Sequence, residues 1–256
     1  MKDIKARVLA VMNQKGGVGK TTTACNMSHA LSRNGYRVLV IDMDPQAHLS
    51  ASFGIHKKGG PGVHEVLTGK LDIQSVVHEV RKNLFLVSCG LALADLENER
   101  IATQQYVLRL RREIDDITNM FDFIVLDCPP ASGKISMSAL FNADEVIIPV
   151  TGDYLSLNGV AGFIKVMNRA IRIREKSINH WIVMTRFQSR RKLAIEVRNK
   201  MLEHFPGKVL ATPVRENVAL AECPGFGLSI FEYASSSQGA QDYTNLVDDY
   251  LTANSL

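Results

Sequence analysis

A single tryptophan, four cysteines and eight prolines in 256 residues leave little material for a disulfide-stapled or proline-rich architecture. The cysteines, Cys25, Cys89, Cys128 and Cys223, lie far apart with no C-x-x-C pair, so neither a disulfide framework nor a zinc ribbon is indicated. They read as reduced, buried thiols. No run reaches the roughly eighteen apolar residues that a membrane span needs. The opening residues Lys2, Asp3, Lys5 and Arg7 put charge where a signal peptide needs its apolar core. The expectation is a cytoplasmic protein without membrane contact. At 46% hydrophobic and 22% charged, the composition excludes wholesale disorder, collagen and coiled coil. The length suits one large α/β domain, and residues 1–256 are read as one.

Charge of one sign is missing from the end of the chain. Residues 216–256 hold no Lys or Arg against six acids, whereas residues 160–215 hold thirteen Lys and Arg against three acids. Residues 1–159 balance at seventeen of each, so the formal net charge of +4 conceals one strongly basic block. Such a block is expected where a surface meets a polyanion.

Along the chain, short apolar runs at 8–12, 37–41, 84–87, 123–126, 146–150 and 181–184 are separated by segments of helical length. Runs without alternation suit strands buried on both faces, which predicts a three-layer, doubly wound α/β fold with a mostly parallel sheet. The first run leads through a glycine-rich loop into an amphipathic stretch ending near Arg33, where Asn34 and Gly35 are expected to close the helix. A βαβ unit follows. The stretch 56–62, with its glycines and proline, suits a mobile surface loop.

The loop reads Lys15-Gly16-Gly17-Val18-Gly19-Lys20-Thr21-Thr22, a variant of the phosphate-loop pattern with Gln14 where the strict form has glycine. Gly16, Gly17 and Gly19 let backbone N–H groups close on phosphate oxygens, and the following helix adds the positive end of its dipole. Lys20 supplies charge to the β- and γ-phosphates, and the Thr21 hydroxyl suits Mg²⁺. An accidental glycine turn would not put strand, loop, helix and hydroxyl in register.

Five ordered blocks resemble the deviant-Walker ATPases of the ParA/MinD family: this loop, Asp42-Met43-Asp44-Pro45-Gln46, the run 123–130 ending Asp127-Cys128-Pro129-Pro130, Thr185-Arg186-Phe187, and Glu222-Cys223-Pro224-Gly225-Phe226-Gly227 with Phe231-Glu232-Tyr233. The likeness is nearest to short ParA-type, Soj-like partition proteins without an N-terminal DNA-binding domain. It implies a P-loop NTPase fold and Mg²⁺-dependent hydrolysis of ATP. It further implies an ATP-dependent homodimer, non-specific binding to nucleoid DNA, and a ParB-like or other cargo adaptor that stimulates hydrolysis. By position, Lys15 resembles the lysine that reaches the partner's nucleotide, where an added cation offsets charge on the transferring phosphoryl. Asp44 matches the carboxylate that positions or deprotonates the attacking water. Asp42 would orient the loop and the metal shell, and Asp127 would hold a metal-bound water. Thr185 and Arg186 on one side and Pro213, Arg215 and Asn217 on the other would pack on adenine. The family's usual Pro-Arg-Asn-Val-Arg-Leu here becomes Arg215-Glu216-Asn217-Val218-Ala219-Leu220, so a proline and two arginines are absent from their usual places.

Within the basic block, Lys165, Arg169, Arg172 and Lys176 recur at spacings of four, three and four, placing them on one helical arc beside the apolar face Val160, Ile164, Met167 and Ile171. Arg190, Arg191, Lys192, Arg198 and Lys200 follow around a strand-to-helix connection with Ser189 as its expected cap. These nine would neutralise DNA phosphates without reading bases. The same fold admits three other readings. A bacterial tyrosine kinase wants a tyrosine-rich tail, for which Tyr233, Tyr243 and Tyr250 are too sparse. A MinD-like membrane-cycling ATPase wants a basic amphipathic C-terminal anchor, which residues after 215 do not provide. An iron-protein-like reductase would need Cys89 and Cys128 to bridge a cluster between subunits.

Overall fold

A computed structural model describes residues 5–55, 60–90, 92–130 and 133–255. The strands are β1 (Arg7–Val11), β2 (Val38–Asp42), β3 (His78–Arg81), β4 (Leu84–Val87), β5 (Phe123–Asp127), β6 (Glu145–Thr151) and β7 (Asn179–Thr185), hydrogen-bonded in the order β3-β4-β2-β5-β1-β6-β7. All neighbours are parallel except β3 and β4. The helices are α1 (Lys20–Arg33), α2 (His48–Ser52), α3 (Val63–Leu67), α4 (Thr103–Ile117), α5 (Lys134–Asn142), α6 (Leu155–Arg174), α7 (Lys192–His204), α8 (Val218–Glu222), α9 (Ile230–Tyr233) and α10 (Gln238–Ala253).

The apolar runs are strands because both their faces are covered. Val8 and Ala10 of β1, with Ile124 and Leu126 of β5, join a core shared with α3 to α7. Their neighbours Leu9, Val11, Phe123 and Val125 join a second core with α1, α9 and α10 on the opposite face. Successive side chains of a strand point to opposite faces, so a strand between two helical layers has no position left for polar residues. The expected doubly wound fold is therefore observed. It has one addition: β3, His-Glu-Val-Arg, is an antiparallel edge strand with half-exposed or exposed side chains, and so lacks an apolar run.

Parallel pairing sets the strand ends level. Val11 of β1 stands opposite Asp127 of β5, and Asp127 stands opposite Asp42 of β2, so two carboxylates meet at the carboxyl edge where β1 releases its loop. In open α/β sheets this edge is where ligands bind.

Asn34 and Gly35 close α1 as expected, Gly35 at φ 95° and Asn34 at φ −77° with its backbone N–H on the Ala30 and Leu31 carbonyls. Two local expectations are corrected. The α6 helix stops at Arg174 because Glu175 turns left-handed, which leaves Lys176 outside the helical arc. The residue before α7 is Arg191, with no side-chain cap, and Ser189 instead lies in a turn closed by Arg191 N–H on the Gln188 carbonyl at 2.9 Å. Of the glycine-rich stretch 56–62, residues 56–59 lie outside the described residues, and Gly62 is buried with its N–H 2.7 Å from a Glu65 carboxylate oxygen.

Candidate nucleotide site and basic surface

The loop between β1 and α1 is held at both ends. Asn13 donates its amide to the Pro149 carbonyl at 2.8 Å and accepts the Lys15 N–H at 3.0 Å, and the Thr185 hydroxyl donates to the Val18 carbonyl at 2.7 Å. Gly17 and Gly19 sit at φ 72° and 84°, where a β-carbon would be strained. Gly16 has no such φ and open space beside it. No side chain caps α1, so its first N–H groups keep their capacity for an anion. They line a cleft of about 950 Å³ together with Lys20, Thr21 and Thr22, Asp44, Pro129 and Asn217.

Lys20 is buried, with its ammonium on the Lys15 carbonyl at 3.0 Å. Burial lowers its pKa, while Asp127 and Asp44 pull the other way. The Lys15 side chain faces a second, adjoining cleft of about 310 Å³ and pairs with Asp153 at 2.6 Å.

The three aspartates differ in what already holds them. Asp42 accepts the Ser50 N–H at 2.9 Å, the Ser50 hydroxyl at 2.7 Å and the Asp44 N–H at 3.2 Å, so both oxygens are engaged. These bonds tether the segment leading to α2. Burial raises its pKa to about 6. Asp44 is 8% exposed, and among the described residues its carboxylate accepts the Gln46 N–H alone, at 2.9 Å. Asp127 is fully buried, and neither oxygen meets a donor in hydrogen-bonding geometry among the described residues. Burial, then the neighbouring Asp42, push its pKa well above the carboxylate range, although the Thr21 hydroxyl is near enough to ease the charge. An orphaned carboxylate beside a hydroxyl at the mouth of a phosphate loop fits a hard cation that takes its remaining ligands from phosphate and water. Thr21 and Asp127 are the residues that would hold Mg²⁺.

On the adenine side Thr185, Arg186, Arg215 and Asn217 line the cleft, as the expected set has them, whereas Pro213 does not. Thr185 is buried and its hydroxyl is committed to the loop. Arg215 clamps buried Asp242 with its backbone N–H at 2.9 Å and its guanidinium, and so braces α10. Asn217 caps α8 by accepting the Ala219 N–H at 2.9 Å. Glu216, where the family has arginine, receives Arg186 at 3.4 Å and the Gln188 amide. Sequence reasoning passed over Asn13, Ser50 and Asp153, whose partners are distant in the chain or carry no motif.

The basic block divides in two. Arg174 caps α5 through the Ala143 carbonyl at 2.6 Å, Lys176 pairs with Asp144 at 2.7 Å, and half-buried Arg198 donates to the Ala211 carbonyl at 3.2 Å. With Arg186, Arg215, and Lys208 on Asn179, six of the thirteen cations are committed within the subunit. Seven are exposed and form no ion pair among the described residues: Lys165, Arg169 and Arg172 on α6, and Arg190, Arg191, Lys192 and Lys200 at the start of and along α7.

A profile of the AAA domain family matches residues 6–180. The sporulation initiation inhibitor protein Soj of Bacillus subtilis is 32% identical over 250 residues, which cover 95% of this chain and 97% of that protein. The chromosome-partitioning ATPase Soj of Thermus thermophilus is 34% identical, covering 96% of each. The chain belongs to the Soj/ParA family of partitioning ATPases. A putative plasmid partition protein of Borrelia burgdorferi bound to AMPPNP is 25% identical, with a TM-score of 0.81 over 97% of this chain and 99% of that one. Cobyrinic acid a,c-diamide synthase of Mycobacterium smegmatis, with an ATP analogue and magnesium, is 29% identical with a TM-score of 0.82, over 98% of this chain and 96% of that one. ATP and Mg²⁺ are the cofactors of the Soj/ParA family, and hydrolysis of ATP is its reaction.

All four cysteines of this Soj/ParA-type chain are buried, and burial pushes the Cys89 thiol up to about 12 and that of Cys128 well above its usual value. Among the described residues no helix is long and apolar enough to cross a membrane.

Proposed function

We propose that this ATPase joins two copies on binding ATP and that the pair binds DNA without reading its sequence. A cargo-bound adaptor, ParB-like or otherwise, then stimulates hydrolysis and releases it. The observation that carries this reading is the set of seven unpaired cations on α6 and α7, exposed while six neighbours in the same block are tied down. A solvated surface usually pairs its charges locally, and here three acids accompany thirteen cations. Two copies would double the phosphates neutralised and multiply counterion release. Such a pair would reside on the nucleoid.

Three roles complete the proposal. Lys15 lies outside its own phosphate cleft, as suits a lysine that serves the nucleotide of a second copy. Asp44 is buried at the cleft wall with one backbone partner, which leaves an oxygen for the attacking water. Thr21 and Asp127 hold Mg²⁺, whose charge offsets that of the phosphates.

Reversing Arg190 and Arg191 to glutamate tests the DNA half, because both are exposed and neither belongs to the phosphate loop or the aspartates, although Arg191 shares the lining of the smaller cleft with Lys15, so dimer formation of the variant is measured alongside. Binding of wild-type protein should require ATP, ignore sequence and weaken with salt at a log-log slope of about −0.9 per phosphate contacted. The double variant should keep ATP binding and lose DNA. An unchanged salt slope in that variant makes the surface an ordinary solvated face.

A further inference from the structure

The loop that leaves Asp127 ends on a carboxylate from another part of the chain. Glu97, at the end of a 3₁₀ turn over residues 93–97, accepts the backbone N–H groups of Lys134 at 2.7 Å and Ile135 at 3.1 Å, the first two residues of α5. Lys134 returns the contact by donating its ammonium to the Leu96 carbonyl at 3.4 Å and to that of Glu99. Leu93 and Leu96 are buried in the core and Tyr106 of α4 donates its hydroxyl to Glu99 at 2.6 Å, so the side that supplies Glu97 is itself fixed. Gly133 makes room, since a β-carbon there would collide with the Glu97 carboxyl group. A carboxylate on two uncapped N–H groups at a helix N-terminus gains charge-assisted hydrogen bonds and the helix dipole together.

We propose that Glu97 is a positioning residue for ATP hydrolysis, which fixes the first turn of α5, whose Ser136 hydroxyl meets the carbonyl of Pro129, two residues after Asp127, at 3.4 Å. The inference rests on the reading of Asp127 as the group that faces the metal. At the near end the backbone carbonyl of Asp127 accepts the Met43 N–H at 2.9 Å, and the Cys128 N–H donates to the Val11 carbonyl at 3.4 Å. Between the two anchors, Pro129 and Pro130 form one wall of the nucleotide cleft. With the first turn of α5 loosened, the Ser136 hydroxyl on the Pro129 carbonyl at 3.4 Å shifts with it, and among the described residues the backbone after Asp127 is left to the strand-end bonds. A displacement of about 1 Å in a positioning group costs up to about a hundredfold in rate. Among the described residues the phosphate loop, residues 15–22, makes no hydrogen bond to Glu97 and should keep its geometry when that contact is lost.

The test approaches the contact from both sides. Glu97→Ala removes the carboxylate, and Gly133→Ala displaces it without removing it. Both should keep ATP affinity within twofold, lower kcat about tenfold, and raise amide exchange in the first turn of α5 in nucleotide-free protein. Glu97→Gln, which retains one acceptor oxygen, should recover part of kcat. Two results overturn the proposal: turnover within twofold of wild type in both alanine variants, or ATP affinity falling in step with turnover, which makes Glu97 a prop for the whole site. Asp127→Asn in the same assay separates the failures, because full turnover in that variant removes the metal-facing reading of Asp127 itself.

Discussion

Asp127 burdens the nucleotide-free protein, so replacing it with asparagine should stabilise the fold while disabling the site. The carboxylate is fully buried, lacks a hydrogen-bond donor in good geometry and lies opposite Asp42 on the neighbouring strand. A buried polar group left unsatisfied costs about 1–3 kcal/mol. Asparagine keeps an unsatisfied amide but no charge, so a gain of about 1–2 kcal/mol is expected at pH 8. For a domain of this size that is a rise in Tm of about 2–8 °C.

The pH dependence identifies charge as the cause. A carboxylate whose folded pKa is raised contributes stability below its unfolded pKa and loses it as pH rises through the folded value. Wild type should therefore lose ground to Asp127→Asn as pH rises, and the difference should shrink steadily as pH falls and more of the carboxylate is protonated. Melting in EDTA across pH 5–8 measures this. Saturating Mg²⁺ and ATP should reverse the order, because a ligand at about a hundred times its Kd adds about 2.7 kcal/mol to a protein that binds it. A variant that melts at or below wild type at pH 8, or whose gain is as large at pH 5, refutes the account.

Lys20→Ala should fold normally and lose about a hundredfold or more in ATP affinity, since two charge-assisted bonds at about 1.5–3 kcal/mol each go with the ammonium; isothermal titration reads it, and wild-type affinity rejects the site. Asp44→Ala should bind ATP and form the dimer yet hydrolyse at least about a hundredfold more slowly, the loss expected for a positioned base, and near wild-type turnover with DNA and adaptor present would remove Asp44 from that role. Lys15→Gln should instead bind ATP and stay monomeric in sedimentation; an ATP-dependent dimer in that variant refutes action across an interface.

The sheet was legible because an entirely buried strand must be apolar at every position, and six such runs each became a strand. The seventh, β3, was not, because an edge strand with exposed His78 and Glu79 carries no such constraint. In the site, residues whose role follows from local geometry were readable. The loop glycines at positive φ and the lysine that opens α1 announce themselves by spacing. Asp42 and Asp127 were recognisable as strand-end carboxylates, but which one is free depends on Ser50, eight residues beyond Asp42, and no spacing rule records that hydroxyl.

The same limit governs the basic block. Spacing placed Lys176 on one arc with Lys165, Arg169 and Arg172, yet Glu175 ends the helix and Asp144, far earlier in the chain, takes the Lys176 ammonium. Arg198 is likewise spent on the Ala211 carbonyl and Arg215 on Asp242. Each of these cations neutralises or caps something in its own subunit, which lowers the charge available to a polyanion without changing the net charge. The functional charge of the surface is therefore nearer the seven unpaired residues than the thirteen counted along the sequence. That smaller number bounds from above the phosphates one copy contacts through this block, so a single subunit binding DNA with a steeper salt slope than seven contacts give would place cations outside α6 and α7 in the interface.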